Sequence, residues 1–350
     1  MATGLEGGCP KDSMRCGRRA IGAPYFAGMR NVLESGATYR GEPMDAAPEA
    51  LGELRRSDDI ARDPEAQRLR LAEDGYLFLP GLLRREEVLE ARREVLRRLA
   101  LAGVVDDADH PLMDGVVVPG ADLGNSHDLA RENAPLDRVL YDGPMIAFYE
   151  GLLGGPVRHF DYTWFRAKMP GPAVTQPHYD VVFMGRGTKE LRTSWTPLGD
   201  VPYEHGGLLV LEGSHRLEEV RRTYGAADVD GYCENRGDGG RIVPAAQAEG
   251  RELTPEESQR IEWEGRGHYS FDAIATRREL GGRWLTADYR AGDLLVLSMY
   301  TMHASSDNRS NRIRLSADSR YQLASEPVDE RWIGDDPMLH GIRAKRGLIC

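Results

Sequence analysis

The chain has 350 residues, 41% hydrophobic and 29% charged, with a formal net charge of −11. That is enough chain for one large domain or two small ones, and its acidity argues against a nucleic-acid backbone as partner. No apolar stretch reaches the roughly 18 residues a membrane-crossing helix needs, so no membrane partner is expected.

The N-terminus, MATGLEGGCPKDSMRCGRRAIG, lacks the apolar core of a secretion signal. The four cysteines, Cys9, Cys16, Cys233 and Cys350, are too few for a disulfide scaffold. Cys9 and Cys16 could pair or bind metal, but incidental thiols and a cytoplasmic location are the expectation. Residues 1–70 are polar and rich in Gly, Ala, Arg and Asp, which predicts an N-terminal arm lying on the main domain, partly disordered at its start. Residues 71–350 are read as one domain.

That domain opens at LAEDGYLFLPGLL, a short apolar strand punctuated by Gly and Pro. In RREEVLEARREVLRRLALAG, residues Val88, Leu89, Ala91, Val95, Leu96 and Leu99 recur at helical spacing, and Gly103 supplies a stop. LDRVLYDGPMIAFYEGLLGG reads as a second amphipathic helix. From about residue 156 the texture turns to short β-rich runs: VRHFDYTWFRAK, LRTSWTPLGDV, GGLLVLEGSHR, WLTADYRAGDLLVLSMYTMHASS and RIRLSADSRYQL. Such a series predicts an antiparallel sandwich or jelly roll. Residues 216–283 form a long polar insertion that reads as a structureless loop.

The chemistry centres on QPHYDVVF, residues 176–183. On a strand, His178 and Asp180 share one face and Tyr179 takes the other, with Val181 to Phe183 continuing as an apolar run. A catalytic metal needs a third ligand, and His303 is the candidate, delivered by the apolar run Leu294 to Met299. Two histidines and a carboxylate on one side of a metal leave positions open, which suits non-heme Fe(II) oxygen chemistry; zinc accepts the same donors. Arg314 stands eleven residues after His303 (314 minus 303). An arginine projecting into a barrel needs an anion, and the far carboxylate of a chelating keto acid matches its fork. Ser305 could donate a hydroxyl to the same group.

The order H-x-D, a Trp-containing strand, GGLLVLEGSHR, a distal His and an Arg eleven residues later resembles the phytanoyl-CoA dioxygenase family. The resemblance covers roughly residues 70–325 and is strongest over 176–215 and 291–322. It implies a fold that is mainly β with flanking helices, on a double-stranded β-helix (jelly-roll, cupin-like) core. It implies Fe(II) as metal, 2-oxoglutarate as cosubstrate, and O2. By position it implies His178, Asp180 and His303 as iron ligands, Arg314 as the 2-oxoglutarate clamp, and Ser305 and Trp195 near the cosubstrate. Asp180 favours hydroxylation over halogenation, because related halogenating enzymes lack this carboxylate. The chain departs from the family at His205, where Asn is usual, and at Glu212, where Pro is usual.

The remaining charged and aromatic candidates read as structural. His215 orders a turn, and His159 either lines the cavity or is a satisfied structural histidine. His110, His127, His268 and His340 read as surface or loop residues, and Arg166 and Lys168 as a solvated strand edge. Arg320 shares the Arg314 face, either pairing with Asp318 or supporting the site from behind.

The reading is therefore a hydroxylase, or an enzyme of related oxidation, acting on a small polar metabolite such as a secondary-metabolite intermediate. The polar expectation rests on Tyr224, Tyr232, Asn235, Arg236, Asp238, Arg241, His268 and Tyr269 of the insertion. Rival readings are a demethylase of the same chemistry, a metal-dependent hydrolase, and a non-catalytic ligand-binding jelly roll. The sequence leaves the oligomeric state open.

Overall fold

Strands buried on both faces, with alternate residues joining different core layers, determine the architecture. The structure is a computed structural model that describes residues 31–124, 126–233, 237–261 and 267–348. Cys9, Cys16, Cys350 and the first thirty residues of the predicted arm lie outside the described residues, as do Asn235 and Arg236. The chain runs β1 (Thr38–Tyr39), β2 (Glu42–Pro43), β3 (Leu51–Glu53), α1 (Pro64–Asp74), β4 (Tyr76–Leu79) and α2 (Arg85–Leu101). Helices α3 (Ala134–Tyr141) and α4 (Gly143–Leu153) precede β5 (Val157–His159), β6 (Trp164–Lys168), the one-turn α5 (Val181–Met184), β7 (Arg192–Pro197) and β8 (Leu208–Leu211). Then come α6 (Glu218–Arg222), β9 (Gly231–Cys233), α7 (Gly239–Ala248), α8 (Pro255–Arg260) and α9 (Ala273–Leu280). The last strands are β10 (Trp284–Thr286), β11 (Leu294–Ser298), β12 (His303–Ser305), β13 (Arg314–Leu323) and β14 (Arg346–Leu348).

Ten of these strands make two sheets. The larger has the order β4-β11-β7-β13-β5, with β6 also paired to β13; the smaller has the order β12-β8-β10-β3. All pairs are antiparallel except β10 with β3. In β4, Tyr76 and Phe78 face the smaller sheet and Leu77 and Leu79 face the helices; in β11, Leu295 and Leu297 alternate with Leu294 and Val296 in the same way. The space between the sheets is filled by those residues with Trp195, Leu208, Val210, Leu285 and Tyr289. On the helical side, Val88, Ala91, Val95, Leu96 and Leu99 of α2 join Leu136, Leu140, Met145 and Tyr149 against the larger sheet. Each fully buried Leu or Val contributes roughly 1.5–3 kcal/mol of burial free energy, so this face alone anchors the helical layer. The result is mainly β with flanking helices on a jelly-roll core, as expected.

Helix ends follow their capping residues. Asp63 accepts from the Ala66 amide at the start of α1, Pro64 follows it, and Gly75 ends the helix at φ 79°. A Cβ on Gly75 would lie 2.4 Å from His215 Nδ1, so both its φ and its packing require glycine. His215 thus packs on a turn, as predicted.

The arm adds a strand to the core, and the insertion is more ordered than its composition predicts. From residue 31 the arm lies on the core: β3 extends the smaller sheet beside β10, and Val32, Tyr39 and Met44 are buried. The segment 216–283 is not structureless, since it carries α6 to α9 and β9. Its order comes from local caps that hydropathy does not register. Thr254 and Glu257 form a reciprocal capping box at α8, and Asp272 accepts from Ile274 and Ala275 at α9. Among the described residues no helix is long and apolar enough to cross a membrane.

Candidate metal centre and cavity

His178 and His303 are backbone neighbours at the edge of the smaller sheet. His303 is on β12, and His178 lies in an extended segment that bridges it, each backbone amide donating to the other's carbonyl at 3.1 Å. His178 is not on a regular strand. After Tyr179 the chain bends into α5, with the Phe183 and Met184 amides donating to the Asp180 carbonyl. The predicted apolar strand Val181 to Phe183 is therefore a helical turn, because a residue in the αR region at Asp180 ends the extended run. The predicted separation of faces survives this correction: Tyr179 is buried on the far side, its hydroxyl donating to the Ser214 carbonyl at 2.6 Å. His303 likewise is not on the strand that precedes it. The run from Leu294 stops at Ser298, and a turn sends the chain into the other sheet.

The three side chains converge. One ligand atom from each of His178, Asp180 and His303 lies within 4.8 Å of the others, and all three residues are buried. Asp180 Oδ1 is 3.5 Å from His178 Nε2 and 3.8 Å from His303 Nε2. Both imidazole Nδ1 atoms face backbone carbonyls, of Gln176 at 2.8 Å and Thr301 at 2.9 Å. A carbonyl only accepts, so each Nδ1 carries the proton and each Nε2 turns a lone pair toward Asp180. Burial, with His178 adding to it, lowers the His303 pKa to about 3, which keeps the ring in its ligating neutral form.

Asp180 is charged despite its burial. Desolvation opposes ionisation, but the Arg320 guanidinium outweighs it and holds the carboxyl well below its usual range. Its Oδ2 accepts from the Thr193 hydroxyl and lies 3.4 Å from the Arg320 guanidinium, leaving Oδ1 for the histidine side. Arg320 thus supports the site from behind, stacked 4.4 Å from the Trp164 ring centroid, and does not pair with Asp318.

Arg314 is 4% exposed and lines the same cavity, about 440 Å³ in volume, as the three donors. Its guanidinium donates to the Ser316 hydroxyl at 2.6 Å, while its Nε is buried without a partner. Burial lowers its pKa to about 10, the mark of a cation without enough counter-charge. Trp195 belongs to the core between the sheets and also lines the cavity, with the Arg314 guanidinium 5.9 Å from its ring centroid.

Ser305 is not brought to the cavity. Its hydroxyl oxygen accepts from Lys168 Nζ at 3.1 Å and from the Thr175 amide at 2.9 Å. Lys168 is correspondingly no solvated edge: it is buried opposite Arg314 in the β6–β13 register, and its ammonium also donates to the Ser306 carbonyl. Arg166 is partly exposed at the cavity rim, 3.6 Å from Asp318. His159 stacks on Tyr141 at 4.2 Å and does not line the cavity, the structural alternative of the two foreseen.

Two histidines read as surface or loop residues belong to the cavity. His268 and His340 line the mouth with Phe183, Trp164 and Trp332. Neither carries a local signal, since His268 comes from the insertion and His340 from beyond the last core strand. Of the polar residues behind the polar-substrate expectation, His268 is the one among those described that lines the cavity. Tyr224 packs on Tyr179 and Tyr269, Tyr232 is buried with Val243 and Ile261, and Asp238 pairs with Arg241 and Arg260. The cavity's polarity comes instead from Arg166, Thr175, Gln176 and Asp318.

Residues 71–316 match the family model described as phytanoyl-CoA dioxygenase. The chain is similar to 1-deoxypentalenic acid 11-beta-hydroxylase of Streptomyces exfoliatus, 32% identical over 41% of this chain and 52% of that protein. It is similar to the enzyme of the same name from Streptomyces arenae, 28% identical over 44% of this chain and 58% of that one. The chain thus spans just over half the length of these curated relatives. Among solved structures it is similar to the non-heme alpha ketoglutarate dependent epimerase SnoN from nogalamycin biosynthesis, with TM-score 0.48 and 22% identity over 78% of this chain and 92% of that one. It is also similar to EctD from S. alaskensis with 2-oxoglutarate and 5-hydroxyectoine, with TM-score 0.49 and 15% identity over 92% and 95%.

Proposed function

The chain belongs to the phytanoyl-CoA dioxygenase family, and from that membership we propose that it is an Fe(II)- and 2-oxoglutarate-dependent oxygenase that hydroxylates, or otherwise oxidises, a C–H bond of a small metabolite. The observation that carries the proposal is the sharing of one buried cavity by three convergent metal donors and an under-partnered arginine. The donor set fits iron: two neutral imidazoles and one carboxylate on one side, with the opposite side open to the cavity. When bound there, Fe(II) with 2-oxoglutarate and O2 supplies a C–H oxidation coupled to release of succinate and CO2.

The chain's own residues have separable tasks. His178, Asp180 and His303 hold the metal, and the carbonyls of Gln176 and Thr301 fix which imidazole nitrogen faces it. Thr193 and Arg320 hold Asp180 charged and oriented. Arg314 takes the carboxylate at the far end of 2-oxoglutarate, and Trp195 walls that end from water. At the mouth, Phe183, Trp164 and Trp332 give the substrate side an aromatic lining, beside the polar groups of Arg166 and Asp318. A secondary-metabolite intermediate fits that mixture, and a cytoplasmic location, read from the cysteine usage, belongs to the same proposal.

The test is turnover of 2-oxoglutarate in air with Fe(II), screened against candidate metabolites and read as succinate together with product mass. One metabolite should raise succinate release and yield a product changed by one oxidation step, typically one added oxygen. Silence toward every metabolite, with 2-oxoglutarate left intact, would favour the ligand-binding jelly roll. Turnover without O2 would favour the hydrolase.

A further inference from the structure

A buried charge cluster stands beside the cavity and has no task in the chemistry above. Arg331 is fully buried and pairs with Asp329 at 2.6 Å, Asp230 at 2.7 Å and Asp228 at 3.2 Å. Arg186 reaches Asp228 at 2.7 Å, and Lys345 reaches Asp230 at 3.0 Å. Three carboxylates thus meet three cations, with the exposed Glu330 3.9 Å from Arg186 at the edge of the cluster. One more group joins it. His340 Nδ1 is 2.8 Å from Asp230 Oδ2, which leaves Nε2 without a hydrogen-bond partner among the described residues.

A carboxylate only accepts, so Nδ1 carries the proton toward Asp230, and the neutral ring offers its Nε2 lone pair elsewhere. That other edge belongs to a residue lining the cavity. Its position is tightly held, because β14, just beyond it, pairs with β9, next to Asp230. The His340 ring lies 4.7 Å from Trp332, which is 4.6 Å from Trp164. Phe183 lies 5.7 Å from the His340 ring and 5.3 Å from that of His178, so one small molecule can reach both His340 and the metal donors.

We infer that His340, oriented by Asp230, is a substrate-binding residue that accepts a hydrogen bond from a hydroxyl on a ring-bearing substrate lying against Trp164 and Trp332. This rests on the oxygenase reading for its purpose and names the class of substrate that reading leaves open. Both indoles line the cavity although almost wholly buried, so a flat ring system meets a fixed apolar wall there. The acceptor distinguishes a hydroxylated ring from its ether, because the ether leaves Nε2 unpaired in a partly desolvated wall.

The probes are 2-naphthol and 2-methoxynaphthalene, titrated calorimetrically into the full-length protein with Fe(II) and 2-oxoglutarate under argon. The unmodified protein should prefer the naphthol by about fivefold to tenfold, the worth of one hydrogen bond. His340→Phe keeps an aromatic ring and should abolish the preference, whereas His340→Gln retains an acceptor and should restore part of it. Equal affinity for the two probes, failure to bind either, or an unchanged preference in His340→Phe would overturn the inference. The visible spectrum of the same samples reports 2-oxoglutarate on iron. A preference that survives where that signal is absent would support the subsite while removing the oxygenase reading.

Discussion

Arg314→Ala should raise the 2-oxoglutarate concentration needed for half-maximal turnover by orders of magnitude while leaving metal binding intact. The guanidinium is buried, its Nε has no partner, and its one side-chain hydrogen bond among the described residues goes to the Ser316 hydroxyl. A carboxylate docked there gains a charge-assisted pair, and removing one partner of such a buried pair costs about 3–5 kcal/mol. That corresponds to roughly a hundredfold to a few thousandfold in affinity. Steady-state titration of 2-oxoglutarate, with Mn(II) binding followed in parallel by electron paramagnetic resonance, separates the two effects. An unchanged 2-oxoglutarate requirement would move the clamp elsewhere, and Lys168, buried across the register from Arg314, is the cation to examine next.

His303→Ala should lose the metal. The ring supplies one of three donors from a buried position, with its Nδ1 proton committed to the Thr301 carbonyl. Alanine leaves His178 and Asp180, a pair too few to hold a divalent ion against water. Mn(II) or Co(II) affinity should fall by about a hundredfold or more, in line with the loss of a ligand whose orienting partners alone are worth 10–100-fold. Turnover should fall to background. His159→Ala is the matched control, since that ring stacks on Tyr141 away from the cavity. Stoichiometric metal binding by His303→Ala with activity retained would remove His303 from the ligand set.

The donors were legible in the sequence because their chemistry is rare in combination. A histidine and an aspartate two positions apart, a later histidine after an apolar run, and an arginine beyond it have few joint explanations. The backbone that carries them was less legible. An apolar run after Asp180 reads as a strand by hydropathy, yet Val181 to Met184 form one helical turn in which the Phe183 and Met184 amides donate to the Asp180 carbonyl. The run from Leu294 does form a strand, but His303 belongs to the opposite sheet, and no local pattern marks such a crossing.

Pairing across the sheet hid other residues. Lys168 resembles any strand-edge lysine until β13 places Arg314 opposite it and Ser305 beneath its ammonium. Ser305 then has its partners already, which is why it fails to reach the cavity. His268 and His340 join the cavity from segments about seventy residues apart (340 minus 268). Only the tertiary charge cluster around Arg331 explains how the second of them is held there.

The most direct test of the iron and 2-oxoglutarate assignment is an anaerobic titration of the intact protein, first with Fe(II) and then with 2-oxoglutarate, followed by visible absorption. A keto acid chelated to Fe(II) through its carboxylate and keto oxygens gives a weak charge-transfer band that neither component shows alone. The expected result is that band, saturating at one Fe(II) per chain and absent from His303→Ala. No band in the intact protein at saturating Fe(II) and 2-oxoglutarate, or the same band in His303→Ala, would contradict it.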